Sequence, residues 1–169
     1  MVAEVHSGLI HISVDLVGGQ EKSKLILSKI SELSEITEIS SIYKRYLNKD
    51  RVDFNARMEF VIRFETVMSV EQTLYMLLSL REHHAAQDMR RNHVELILLV
   101  FDQKTLMSPK LTLPYPDLHK DSLIVRCAAE AWGSYEHPVY LKTLTEIAKA
   151  APPVRDAEFH LQGKSLVDF

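Results

Sequence analysis

A chain of 169 residues, 46% hydrophobic and 25% charged, has the apolar mass for one globular domain with a sizeable core. Its net charge of −3 and pI near 6.2 exclude a global basic field of the kind that draws nucleic acid or an anionic membrane surface. No apolar run approaches the ~20 residues of a membrane span, and the first thirteen residues lack the apolar core of a signal peptide, so a cytoplasmic protein is expected.

In chain order, residues 9–17 (LIHISVDLV) alternate apolar and polar positions, which predicts a half-buried strand with Ile10, Ile12, Val14 and Leu16 on one face. Gly18-Gly19 ends it. Leu25, Ile26, Ile30 and Leu33 then recur at helical spacing over residues 21–33. Residues 36–46 and 57–66 are β-branched and aromatic and alternate, so two strands follow, joined by the polar link 47–55. Ser69 and Gln72 form a capping-box pattern opening a helix to about residue 84. Residues 85–92 are a polar connection carrying Arg90-Arg91.

Residues 93–101 (HVELILLVF) are an apolar, β-branched run that reads as a strand buried on both faces and as the central strand of the fold. Its one carboxylate, Glu95, would cost roughly several kcal/mol there without a partner, a proton or an open cleft. After Leu113-Pro114-Tyr115-Pro116-Asp117, residues 122–131 are helical. The lone cysteine, Cys127, lies there among Val125, Ala128 and Ala129 as a buried inert thiol, and no internal disulfide can form. Pro138 opens a further helix to residue 150, with Leu141, Leu144, Ile147 and Ala148 as its apolar stripe, and Pro152-Pro153 stops it. The reading is one domain over residues 1–151 and a tail over 152–169, with Phe159 and Leu161 in a turn or hairpin.

Strand, helix, strand, strand, helix, strand with right-handed crossovers is the split βαβ arrangement. The fold class is therefore α+β, a ferredoxin-like βαββαβ core with an antiparallel sheet, helices on one face and additional C-terminal helices.

On these residues the chain resembles a known family. Ser40-Ser41-Ile42-Tyr43 ends one strand and Glu65-Thr66 the next; a helix closes at Glu82; VELILLVF, LPYPD and an apolar helix containing Glu130 follow. The set resembles 6-hydroxymethyl-7,8-dihydropterin pyrophosphokinase (HPPK) of folate biosynthesis over residues 9–131. The resemblance implies a ferredoxin-like core and transfer of pyrophosphate from ATP to a pterin alcohol with two magnesium ions.

The departures fall where that chemistry belongs. The family's Asp-Leu-Asp, whose two carboxylates share one face of a strand and hold both metals, corresponds to Glu95-Leu96-Ile97. Its Gly-Ser-Asn corresponds to Asp15-Leu16-Val17, and its pterin-binding asparagine to Glu59, or to Asn55 if four residues are inserted. The histidine of its Pro-His-Pro is Tyr115, and the arginine and pterin-stacking phenylalanine that follow are Asp121 and Leu123. Its arginine segments for the triphosphate have no counterpart beyond Arg90-Arg91.

The expectation is a divergent HPPK-like protein that does not run the family's transfer and binds a small molecule or a protein partner instead. Its remnant pocket is Glu95, Glu59, Arg90, Arg91, Tyr115 and Asp117, with Glu95 as the metal candidate, no catalytic residue and no cofactor. One alternative is an active kinase with a rebuilt magnesium and ATP site; another is a ferredoxin-like interaction module unrelated to folate. Each residue also has a plainer role. Glu95 can pair with Arg90 or Arg91, these arginines can be solvated, and Tyr115 can pack its turn. Glu59, Val61, Arg63 and Glu65 can form a charged, water-exposed sheet face. His83, His84 and His93 match no metal-binding spacing. No Walker loop, Rossmann fingerprint, paired-cysteine motif or nucleophile elbow occurs, and Gly18-Gly19 is the one glycine pair that hints at a phosphate loop.

Overall fold

Ile10, Ile12 and Val14 alternate with His11, Ser13 and Asp15, which gives β1 (His6–Asp15) one apolar and one polar face. A computed structural model describes residues 2–86 and 93–167. After β1 come α1 (Gly19–Ser31), β2 (Glu35–Ile39), β3 (Ile42–Tyr46), β4 (Ala56–Thr66), α2 (Val70–Ala86) and β5 (Val94–Phe101). The sheet is antiparallel throughout, ordered β5-β1-β4-β3-β8, with β8 spanning Ala157–Leu161 and β2 pairing with the other half of β4.

The predicted run 36–46 is thus two strands. They part at Ser40, whose N–H donates to the Val61 carbonyl while its hydroxyl oxygen accepts from the Val61 N–H, both at 2.9 Å. The side chain stands in for a ladder carbonyl, so pairing continues past the break. Gly163 packs on this point; a Cβ there would lie 2.0 Å from the Ser40 carbonyl oxygen. Gly18, at φ +74, supplies the left-handed turn into α1, a structural use for the glycine pair.

The apolar faces of β1 and β4 pack under α1 and α2, through Ile10, Ile12, Phe60, Ile62 and Phe64 against Ile26, Ile30 and Leu77. Fully burying each such side chain contributes about 1.5–3 kcal/mol. The two core helices share one face, as expected, and the additional helix α3 (Ser122–Trp132) covers the other face over Leu9, Val61 and Leu99. Its contact side is Leu123, Cys127, Ala128 and Ala131, mostly small residues that let the helix approach the sheet closely. Cys127 is fully buried, and burial pushes its thiol well above the ordinary value.

Three expectations are corrected. β5 lies at the end of the sheet, not its centre. Its apolar run reports burial by layers above and below rather than two strand neighbours; its outer edge takes the Tyr115 N–H on the Leu99 carbonyl at 2.8 Å. The last helix is α4 (Leu144–Ala150), not one opened by Pro138. Residue 141 has φ 56, outside the helical region, and Leu141 is exposed rather than part of an apolar stripe. The start signal is Thr143, whose hydroxyl accepts from the Glu146 N–H at 3.2 Å. The segment 157–161 is no hairpin within the tail but strand β8, paired with β3. A small hairpin, β6 (Leu106–Met107) with β7 (Thr112–Leu113), follows β5. No helix among the described residues is long and apolar enough to cross a membrane.

Candidate functional site

Ladder register puts the polar positions of four strands on one face. Glu95 pairs across to Ser13, Ser13 to Glu59 and Glu59 to Tyr43; one step along, Ile97 pairs to His11 and His11 to Val61; on the other side Asp15 pairs to Arg57 and Arg57 to Arg45. Directly opposed residues share a face, so these side chains form one floor beside the start of α3.

The inner half of the floor is a network of charged and polar side chains. His11 Nε2 lies 2.9 Å from Glu59 Oε1, and Arg45 Nε lies 2.9 Å from Glu59 Oε2. Arg45 also forks onto Asp121, Nη2 to Oδ1 at 2.7 Å and Nη1 to Oδ2 at 3.1 Å, with Asp156 3.7 Å from Nη1. The His11 and Glu59 side chains are 4% and 5% exposed, which removes the expected water-exposed face at Glu59. Because an ionised carboxylate only accepts, His11 donates from Nε2, and its buried Nδ1 has no hydrogen-bond partner among the described residues. Burial works against the charge on Arg45, but the hydrogen bond to Asp121 and the fields of Glu59, Asp121 and Asp156 outweigh it and hold the guanidinium above its ordinary pKa. Burial likewise opposes ionised Asp121, and the Arg45 hydrogen bond and charge with the Ile124 amide hold it below the usual carboxylate value. Asp121 also caps α3, accepting from the Leu123 and Ile124 amides at 3.1 Å.

The outer half is a half-buried ledge. Ser13 Oγ lies 3.0 Å from His93 Nε2, and Asp15 Oδ2 accepts from the His93 N–H at 3.0 Å. Burial, then the charge of Arg57, hold His93 below its ordinary pKa against the pull of Glu95, Asp15 and Glu59. Glu95 has no ion-pair or hydrogen-bond partner among the described residues, and Arg57 has a buried Nε with none. This ledge offers an acceptor carboxylate and a donor guanidinium on one surface.

Of the residues expected at the site, Glu95 and Glu59 share the floor. Tyr115 is half-buried; burial, then the carboxylates of Asp117, Glu95 and Asp121, push its phenol up. Asp117 sits apart at the surface, 3.7 Å from Lys120 with both side chains exposed. Arg90 and Arg91 lie outside the described residues, as does any pairing of Glu95 with them. Asn55 ends an exposed helical turn, Asp53–Asn55. His83 and His84 lie on α2, away from the Ser13–His93 contact, and no group of three or more His, Cys, Asp or Glu among the described residues is placed to hold a metal. Leu123 is a core residue. Glu130 accepts from Tyr43 at 3.0 Å and Ser41 at 2.9 Å, tying α3 to β3. His11, Ser13, Arg45 and Arg57 were missed. The available signal was the polar alternation His11, Ser13, Asp15 opposite Ile10, Ile12, Val14.

No family model matches the sequence, and no curated protein matches it. Solved structures do. Plasmodium falciparum HPPK-DHPS with pterin and p-hydroxybenzoate aligns with TM-score 0.67 and 8% identity over 87% of this chain and 42% of that one. The same wild-type protein with SDX-DHP gives 0.66 and 10% over 87% and 44%, and a further wild-type structure gives 0.67 and 9% over 87% and 45%. This chain therefore spans less than half the length of those proteins. Such similarity at this identity is one of architecture: the chain has the ferredoxin-like α+β fold of HPPK.

Proposed function

We propose that this protein is an HPPK-fold binding protein that does not transfer pyrophosphate from ATP to a pterin. The observation that carries this reading is the position of Arg45, whose guanidinium is held between Glu59 and Asp121. By the resemblance, Glu59 stands where the family has its pterin-binding asparagine and Asp121 where it has an arginine. The network therefore fills the pterin position with a buried charge and consumes the cation closest to it. Phosphoryl transfer depends almost entirely on positioning and charge neutralisation. A triphosphate approaching this floor meets Asp15, Glu59, Glu95 and Asp121, with Ile97 in place of a second metal-binding carboxylate. The open ledge of Ser13, Arg57, His93 and Glu95 instead suits a small polar molecule that offers an acceptor to Arg57 and a donor to Glu95.

Titration of the full chain with ATP and magnesium by calorimetry tests the reading. No saturable heat is expected at millimolar nucleotide. Saturable binding that requires magnesium and is lost in Glu95→Gln would support a rebuilt kinase site instead.

A further inference from the structure

A second concavity lies away from the sheet floor. Its walls are the β6–β7 hairpin, the Pro114-Tyr115-Pro116 segment and the turn 137–142, and it encloses about 340 Å³. That volume is at the lower end of the roughly 300–1,000 Å³ typical of small-molecule sites.

The turn wall is fixed by its own bonds. The His137 N–H donates to the Lys142 carbonyl and the Leu141 N–H to the His137 carbonyl, both at 2.8 Å. The His137 ring closes the turn from inside: Nδ1 accepts from the Val139 and Tyr140 N–H groups, each at 3.2 Å. Two donors on Nδ1 require a lone pair there, so the ring proton is on Nε2. Burial, then neighbouring His119, hold the ring below its ordinary pKa, so it is neutral at pH 7. His137 is 3% exposed, lines the cleft, and its Nε2–H meets no acceptor among the described residues. That donor, with a fixed tautomer, no partner among the described residues and an opening to the cleft on an otherwise buried ring, is a site for an outside acceptor.

The surroundings set the class of that acceptor. The Tyr140 ring lies against His137 at 4.5 Å and 37° and against His119 at 4.9 Å and 60° between centroids and planes. The opposite rim carries Met107, 90% exposed. No lysine, arginine, aspartate or glutamate among the described residues lines the cleft. Aromatic and thioether surfaces favour a flat ring system, and the absence of charge gives nothing to neutralise a phosphate or carboxylate.

We infer that this cleft binds an uncharged planar heteroaromatic molecule of one or two rings, stacked on Tyr140 and accepting a hydrogen bond from His137 Nε2–H through a carbonyl or ring nitrogen. The site is independent of the reading proposed for the sheet floor. Tyr115 serves it as part of the floor between the two prolines.

Two uncharged bicyclic probes test this: quinazolin-4-one, which carries a carbonyl acceptor, and indole, which carries none. Titrated into the full chain and followed by long-range ¹H–¹⁵N spectra of the histidine rings, quinazolin-4-one is expected to shift the His137 Nε2 resonance and to bind about tenfold more tightly than indole, the value of one good hydrogen bond. In His137→Asn the side-chain oxygen can still accept the two amides, so the turn persists and the preference between probes disappears. Tyr140→Ala, at a half-exposed ring, weakens both probes and does not depend on the turn variant folding. Equal affinity for the two probes in the native chain, or no His137 shift at millimolar quinazolin-4-one, overturns the inference.

Discussion

Arg45 Nε lies 2.9 Å from Glu59 Oε2 across neighbouring strands β3 and β4, and Glu59 has almost no other exposure to water. The pair joins the sheet to α3, because the same guanidinium forks onto the helix-capping Asp121. Removing the arginine leaves two carboxylates facing each other with little water. Arg45→Met is therefore expected to destabilise the fold by about 3–5 kcal/mol, the range for breaking a buried ion pair at one partner. Urea unfolding measures this, and a loss below about 1 kcal/mol would place the pair among surface bridges of little consequence.

Acid sensitivity follows from the histidines. Burial is the first cause holding His84, His93, His137 and His160 below their ordinary 6.5 in the folded state. The unfolded chain therefore binds more protons than the folded chain once pH falls below about 6.5, and stability falls with it. Asp121, held low, adds a second loss as pH drops further, below the ordinary carboxylate value of 3.8. At the other end Tyr43 and Tyr135 are pushed up to about 12 from 10, first by burial, so the unfolded chain loses protons first and stability declines above pH 10. Melting temperature against pH should be flat between about 7 and 9 and fall on both sides. His93→Gln should flatten the acid limb in part.

Ser40 is the hinge of the β2–β3 break. Ser40→Ala removes the oxygen that accepts from the buried Val61 N–H, and the orphaned donor is expected to cost about 1–3 kcal/mol. Amide exchange at Val61 should quicken in parallel. Unchanged protection there would mean that another group takes the proton.

Much of this is legible in the sequence. The alternation in LIHISVD announced one apolar and one polar face, and both are present in β1. VELILLVF announced a strand, but an apolar run carries burial and not neighbour count, so its place at the sheet end was not readable. The helix start at Thr143 was written in Thr-x-x-Glu and was overshadowed by Pro138, whose neighbour His137 closes a single turn with its ring. The floor itself was half visible. Glu95 and Glu59 were marked by their neighbours in sequence, whereas Arg45 and Asp121 are 76 positions apart and meet only through sheet register and the entry of α3. Asp121 read as a departure from the resemblance; in the fold it is one arm of a network.

Ile97→Asp places a second carboxylate two residues from Glu95 on β5. Beside His11 it places a charge on a half-buried floor that already carries Glu95 and Glu59, and it is expected to cost about 1–3 kcal/mol without creating turnover. Thermal unfolding and an AMP assay on the variant check the two halves separately. Rescue of turnover would mean that the remaining phosphate and pterin contacts are present on this floor.

Glu95→Gln keeps the shape of the ledge and removes its charge. If Glu95 is an acceptor for a small polar ligand rather than a metal ligand, stability should change by about 0.5 kcal/mol or less, the usual range for a position with no buried partner. A larger loss would show that Glu95 is held by a structural partner.

The central claim is tested most directly by incubating the full chain with ATP, magnesium and 6-hydroxymethyl-7,8-dihydropterin and resolving the nucleotides. No AMP above the rate without protein is expected. AMP appearing in equal amount with the pterin diphosphate, over many turnovers, would contradict it.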